Sequence, residues 1–316
     1  MKVSNMNIPF SAEKLRKVTL SYGNYKTSEN FACRDPFIMR YEDKYYLYKQ
    51  LTTDKGGEEI VCHVSTDLEN WSDPITVYAP PKDFHGINCL FWAPECHYYK
   101  GNFYIFTSVF SKNTNHRNIS VYRANNPLGP FEDIADGCVG KPEWDTIDGT
   151  LYVDEDGQPW MVFVHEWTSM PDKIGGMAVA KLSEDLSHFI SEPKQIFKAT
   201  DTFFARSGVT DGPYLYETER GRLIMIWSNF GEKSYFIAKA YSDNGIDGDW
   251  KHEEELLYEQ GLRPEFKFDG GHGMIFEDKE GNILLSLHTP NTKFDGYYEH
   301  LSLFELVEED NTVRIK

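Results

Sequence analysis

The chain is short of helical periodicity. Apolar residues at helix spacing appear only briefly, around Ser11–Lys17, so a helical bundle or an alternating α/β fold is excluded. It has no run of about 20 apolar residues, and hence no membrane-spanning helix is expected. Its opening residues, Met1 to Phe10, lack an apolar stretch with a small-residue cleavage site and do not read as a secretory signal. Positive charge is scarce: 32 Lys and Arg against 50 Asp and Glu give a net charge of −18. Such a surface has little to exchange for the counterions of a phosphate backbone, which argues against a nucleic-acid partner. Cysteines number five (Cys33, Cys62, Cys89, Cys96 and Cys138), and no two have CxxC spacing. Neither a disulfide framework nor a thiolate metal site follows, and the expectation is a cytoplasmic protein with reduced, buried thiols. An export signal removed from the chain would leave the same sequence.

What the chain has is aromatic residues, at 15% of its length, and a repeat. One unit reads Ile147-Asp148-Gly149-Thr150-Leu151-Tyr152-Val153, an Asp- and Gly-rich turn, then Pro159-Trp160-Met161-Val162-Phe163. The same order, a polar residue before Pro or Gly, an apolar strand, a turn and a second apolar strand, recurs from Asp35, Ala93, Asp211 and His272. The starts are separated by 58, 55, 63 and 61 residues, a long period of the kind radial repeat folds show. Each hairpin is followed by further strand-like sequence and by a polar turn closed by an aromatic, as in Ser65 to Trp71, Pro127 to Phe131, Ser183 to Phe189 and Asp247 to Trp250.

Five units of a hairpin plus two more strands predict an all-β chain. Its simplest closure is a five-bladed β-propeller of four-stranded antiparallel blades. Residues 1–316 then form a single domain, with 1–30 as an N-terminal approach segment containing a candidate strand at Lys17 to Tyr22. An N-terminal strand can complete the fifth unit, but the pattern does not say which end seals the ring.

In a propeller the first strand of each blade lines the central channel, so Asp35, Ala93, Asp148, Asp211 and His272 are expected to converge. An Asp before Gly or Pro is an ordinary turn residue. Three carboxylates around one axis are less ordinary, because like charges so placed raise one another's pKa. The second strands return to the same end, placing Ser108, His165-Glu166-Trp167, Ser228-Asn229-Phe230 and His288-Thr289-Pro290-Asn291 on the next wall. Carboxylates beside Trp, Phe, His and Asn provide what glycoside hydrolysis needs: an acid, a base, flat faces for a sugar and hydrogen-bonding groups for its hydroxyls.

The segments Arg34-Asp35-Pro36, Trp92-Ala93-Pro94-Glu95, Ile147-Asp148-Gly149, Asp211-Gly212-Pro213 and Gly271-His272-Gly273 resemble the blade starts of glycoside hydrolase family 43, over roughly residues 30–300. The resemblance implies a five-bladed, inverting enzyme acting mainly on arabinofuranosides, xylosides and related plant polysaccharides. It implies Asp35 as the general base and Asp148 as the carboxylate that orients the acid and tunes its pKa. The family's acid is a Glu in a Glu-Gly-Pro motif, where this chain has Asp211, one methylene shorter. Asp211 is taken as the acid and Glu166 as the alternative. A His at the fifth slot can hold a hydrated calcium ion in that family, so His272 is either such a group, through waters, or a neutral core histidine; no cofactor is required.

Trp92, Phe91 and Trp167 are candidate sugar platforms or plain packing residues. Glu95, Glu166, Asn229 and His288 complete the expected substrate-binding set. The expected activity is release of terminal sugars, foremost as an α-L-arabinofuranosidase, with β-xylosidase or galactofuranosidase action as alternatives. A carbohydrate-binding propeller without catalysis is the reading from another class, and a scaffold for protein partners a weaker third. Sugar, linkage, exo or endo action and oligomeric state are not legible.

Overall fold

The computed structural model describes residues 16–17, 19–20, 25–54, 56–88, 91–135, 137–290 and 299–316. The chain's first 15 residues, Cys89 and Asn291 lie outside them, and with them most of the helix-period stretch at Ser11–Lys17.

Five antiparallel sheets follow one another along the chain. Their innermost strands are Phe37–Tyr41, Trp92–Tyr99, Thr146–Val153, Asp211–Glu217 and Gly271–Glu277, in blades I to V. Each turns back into a second strand: Lys44–Thr52, Asn102–Ser111, Pro159–His165, Leu223–Phe230 and Ile283–Pro290. The third strands are Glu58–Ser65, His116–Ala124, Gly176–Lys181, Tyr235–Ser242 and Glu299–Glu309. The result is the five-bladed β-propeller that the repeat predicts.

The second strands show why the ring forms. Every residue of Pro159–His165 is buried, and so is all of Leu223–Phe230 except its last residue. Strands covered on both faces carry continuous apolar sequence rather than alternation, and here the two covers are the neighbouring blades. Phe106, Phe163 and Leu182 share a core cluster between blades II and III. Val164, Trp227 and Phe236 share one between III and IV, and Ile237, Leu287 and Phe304 one between IV and V. Each such side chain contributes about 1.5–3 kcal/mol on burial, so the interblade seams supply the main stabilisation. Outer strands are shorter and more polar, such as Glu132–Asp133 and Lys251–His252.

An N-terminal strand closes the ring. Tyr25–Ala32 pairs with Glu299–Glu309 in blade V, and Thr312–Ile315 pairs with the other end of that same strand. Of the candidate strand at Lys17 to Tyr22, Val18, Ser21 and Tyr22 lie outside the described residues; Arg16–Lys17 joins the edge of blade I and Thr19–Leu20 pairs with Tyr25–Ala32. Cys33, Cys62, Cys96 and Cys138 are free thiols, and burial pushes Cys138 up to about 11.

A candidate active site on the channel axis

The repeat meets the axis at a bulge. Strand register breaks between Ile147 and Thr150, between Asp211 and Tyr214, and between Gly271 and Met274. At each break one residue takes positive φ: Asp148 (54°), Gly212 (50°) and His272 (48°), matched by Asp35 (48°) and Ala93 (43°) in blades I and II. This corrects one expectation, because the fourth-blade counterpart of Asp35 is Gly212 and not Asp211. A left-handed residue re-aims the strand, and Gly212 is the one of the five without a side chain. A Cβ there would stand 2.6 Å from His272 Cδ2. The missing side chain makes room for the imidazole, and Asp211, one residue earlier, sits higher toward the mouth.

These residues open into a cavity of about 510 Å³, within the range of small-ligand sites. Asp35, Asp148, Asp211 and Glu166 face it together with His272 and Tyr235. Trp92, Trp167 and Phe230 line its mouth and are 39%, 39% and 46% exposed, the partial exposure of rings that stack on a ligand. Trp92 is backed by the Arg117 guanidinium, 3.3 Å from its ring centroid, which holds the plane. Phe91, by contrast, is buried at 1% exposure against Tyr78 and Phe84, a packing residue.

The carboxylates are electrostatically unequal. Burial alone would raise Asp35. It is outweighed by His272 Nδ1 and His288 Nδ1, each 3.2 Å from Oδ1, and by Arg34 Nε, 3.6 Å from Oδ2, so Asp35 is held well below the usual carboxylate range. Asp148 is buried, faces Asp35 and Glu95, and is pushed up to about 6 despite His272 and a 2.9 Å hydrogen bond donated by Gly212 N–H to its Oδ2. Asp211 is pushed higher, to about 7, by burial and by the charge of Asp148. The Tyr235 hydroxyl donates to Asp211 Oδ2 at 2.8 Å. Glu166 is also raised, by burial first, with Arg117 opposing. Burial opposes protonation of His272, but the surrounding Asp35, Asp148, Asp211 and Glu95 overcome it and raise its pKa.

Three expected substrate-binding residues are not in the lining of this cavity. Glu95 is buried at 5% exposure and is tied to His97 Nε2 at 3.0 Å, deeper along the channel; its position two residues past the bulge carries it below the cavity. Asn229 is fully buried, accepting from Ser207 Oγ and from Phe230 N–H, both at 2.6 Å, so it shapes the wall without lining it. His288 lies behind Asp35, accepting its backbone N–H at 3.2 Å. The expected wall residue His165 is stacked on Trp144, 3.8 Å between centroids, and burial lowers it to about 4.

Tyr235 and Gln50 line the cavity, and Arg117 backs Trp92, without having been among the expected site residues. First and third strands run in the same direction, so third-strand starts reach the same face as the bulges; applying that rule would have found Tyr235 and Arg117.

Among the described residues no group of three or more His, Cys, Asp or Glu is arranged to hold a metal ion. His272 turns its Nδ1 to carboxylates that favour a proton there, and a protonated imidazole has no lone pair to offer on that nitrogen. Direct ligation through Nδ1 is therefore disfavoured, whereas an ion held through waters, the expectation for His272, does not draw on that lone pair.

A sugar-sized cavity walled by half-exposed rings, with carboxylates of divided proton affinity at its floor, thus lies on the axis of a five-bladed propeller. Residues 29–308 match glycosyl hydrolases family 43, and the chain belongs to that family. It is similar to an extracellular exo-α-(1→5)-L-arabinofuranosidase of Cellvibrio japonicus, 29% identical over 177 residues, covering 51% of this chain and 46% of that one. An extracellular endo-α-(1→5)-L-arabinanase of Bacillus subtilis is 24% identical over 153 residues, covering 45% and 46%. The chain thus matches about half the length of these curated relatives. Among solved structures, an endo-arabinase from Bacteroides thetaiotaomicron superposes with a TM-score of 0.78 at 30% identity, over 90% of this chain and 97% of that one.

Proposed function

We propose that the enzyme is an inverting α-L-arabinofuranosidase that uses Asp35 as base, Asp211 as acid and Asp148 as the group that keeps the acid protonated. The observation that carries this is the opposite displacement of two carboxyl groups in one cavity, Asp35 downward and Asp211 up to about 7. Acid and base assignments follow from such a division. Asp35, ionised, takes a proton from water as the water oxygen bonds to the anomeric carbon. Asp211 gives its proton to the glycosidic oxygen as the bond from the anomeric carbon to that oxygen breaks. One attack from the face opposite the leaving group inverts the anomeric configuration. Because the Tyr235 hydroxyl occupies Oδ2 of Asp211, the transferable proton belongs on Oδ1. The relatives named for arabinofuranosidase and arabinanase action support the sugar.

His272, as an imidazolium among carboxylates, supplies the positive charge on the axis. Prolonged EDTA treatment is accordingly expected to leave kcat unchanged, while calcium-dependent loss and recovery of activity would overturn that role. For the reaction itself, Asp35→Asn should abolish turnover of an aryl α-L-arabinofuranoside with the fold intact by circular dichroism. NMR of the first sugar released by the parent should show the inverted anomer. Full activity of the variant, or a retained anomer, would reject the mechanism; turnover of aryl xylosides or galactofuranosides instead would move the sugar and leave the roles standing.

A further inference from the structure

One strand position recurs around the ring and is used unequally. On the second strands, the residue paired with the one just before the bulge is Ser108 opposite Trp92, Val164 opposite Ile147, Ser228 opposite Asp211 and His288 opposite Gly271. Three of these accept the bulge N–H of the following blade. Ser108 Oγ takes the Asp148 N–H at 3.0 Å, Ser228 Oγ takes that of His272 at 2.9 Å, and His288 Nδ1 takes that of Asp35 at 3.2 Å. At the seam between blades III and IV no acceptor is offered, because Val164 is apolar and fully buried. The Gly212 N–H instead donates to Asp148 Oδ2 at 2.9 Å.

We propose that Val164 is a positioning residue: by withholding an acceptor from the Gly212 N–H, it releases that donor to grip the Asp148 carboxylate. Core filling alone does not account for valine here. Threonine has nearly the same shape, and three other seams seat a polar side chain at this place. A buried backbone N–H must find a partner, and with no side-chain acceptor in register the carboxylate one blade back becomes that partner. The grip fixes the rotation of Asp148 beside Asp211 and favours its ionised form. The other groups facing Asp148 are Asp35 from blade I, Glu95 and Arg117 from blade II, Asp211 and Tyr235 from blade IV, and His272 from blade V. Unlike those side chains, the Gly212 donor neither titrates nor rotates.

The catalytic consequence rests on reading Asp148 as the group that tunes the acid, and the test separates the two. In the full chain with ¹³C-carboxyl-labelled aspartate, Asp148→Asn identifies the Asp148 resonance. Val164→Thr introduces a competing acceptor, and Val164→Ala removes volume without one. The Asp148 titration midpoint should rise by about one pH unit in V164T, the effect of one lost hydrogen bond to the charged form, and stay in place in V164A. The acid limb of kcat/KM for an aryl α-L-arabinofuranoside should move upward with it. A V164T midpoint equal to that of the parent overturns the proposal; should V164T fail to fold, Val164→Ser, the residue of two other seams, takes its place. Parental turnover by D148N would instead reject the tuning role of Asp148, with the titration still deciding whether Val164 directs the hydrogen bond.

Discussion

Removing one hydroxyl decides which carboxyl is the acid. Tyr235 donates to Asp211 Oδ2 at 2.8 Å from a side chain that is 6% exposed. This hydrogen bond favours the ionised form of Asp211 and so works against the proton that catalysis needs. A hydrogen bond to a charged group is worth about 1.5–3 kcal/mol, and about 1.36 kcal/mol corresponds to one pKa unit. Tyr235→Phe should therefore lift Asp211 from about 7 by roughly one to two units. The ring, nearly parallel to His288 at 13° and 6.0 Å, remains to hold the wall. An acid acts only while protonated, so a higher pKa keeps the enzyme active to higher pH and the alkaline limb of kcat/KM moves upward. The assay is kcat/KM for an aryl α-L-arabinofuranoside across pH 4–10, a span chosen to bracket ordinary and perturbed carboxyl values. An alkaline limb that stays in place or moves down refutes Asp211 as the acid. Glu166 then inherits the role, since its proton affinity is set by burial, Arg117 and Asp145.

Three further outcomes follow from the same geometry. Asp211→Asn should lose at least ~10²-fold in kcat on a poor leaving group and recover on a very good one, which needs no proton, whereas Glu166→Gln should show no such leaving-group dependence; the reverse pattern exchanges their roles. Asp211→Asn should also raise the Tm at pH 8. The folded pKa of Asp211, about 7, lies above the unfolded value near 3.8, so its ionisation destabilises the fold increasingly between those values; the gain should be ~6 °C and vanish near pH 4, and an unchanged or lower Tm at pH 8 would contradict the burial argument. Gly212→Ala puts a Cβ at φ 50° and 2.6 Å from the His272 ring, so displacement of that ring should cost roughly 10²-fold in kcat with only a modest loss of Tm. Parental activity in G212A would show that the imidazole position is not critical.

The fold was legible because a blade is a local unit. Two apolar strands joined by a turn recur at a nearly constant period, and that pattern survives in single residues such as Asp35, Asp148 and His272. The site was legible to the depth of those first strands. Asp211 was found through its motif but assigned the wrong register: Asp211-Gly212-Pro213 shares the letters of an Asp-turn start, while the bulge falls on Gly212. Glu95 and Asn229 were expected at the cavity from strand position alone. The reach and tilt of a side chain at a bulge depend on where the register breaks, and no residue letter records that. Tyr235 lies outside the strand pair that repeats visibly, and its role comes from a single contact with Asp211 across the blade.

The arrangement also explains how one narrow channel keeps neighbouring carboxyl groups in different protonation states. Positive charge gathers on one side: His272 and Arg34 stand beside Asp35, whose backbone N–H is held by His288 Nδ1. Asp148 has carboxylates on either hand and, as a fixed donor to its carboxylate, the backbone N–H of Gly212, while its own N–H is held by the seam serine Ser108. Asp211 receives the repulsion of Asp148, which the charge of His272 and the Tyr235 hydroxyl offset only in part. Proton affinity therefore rises across the ring from blade I through III to IV, the order a base, a modulator and an acid require. The shorter side chain at the proposed acid fits the same logic: held closer to the backbone, Asp211 stays nearer the buried charge of Asp148 that raises its proton affinity. Lengthening it to Glu should extend its reach toward the leaving oxygen and loosen that repulsion. Asp211→Glu is accordingly expected to lower the alkaline limb of kcat/KM even where kcat survives, and an upward shift would show that burial at the mouth, rather than Asp148, sets the acid's pKa.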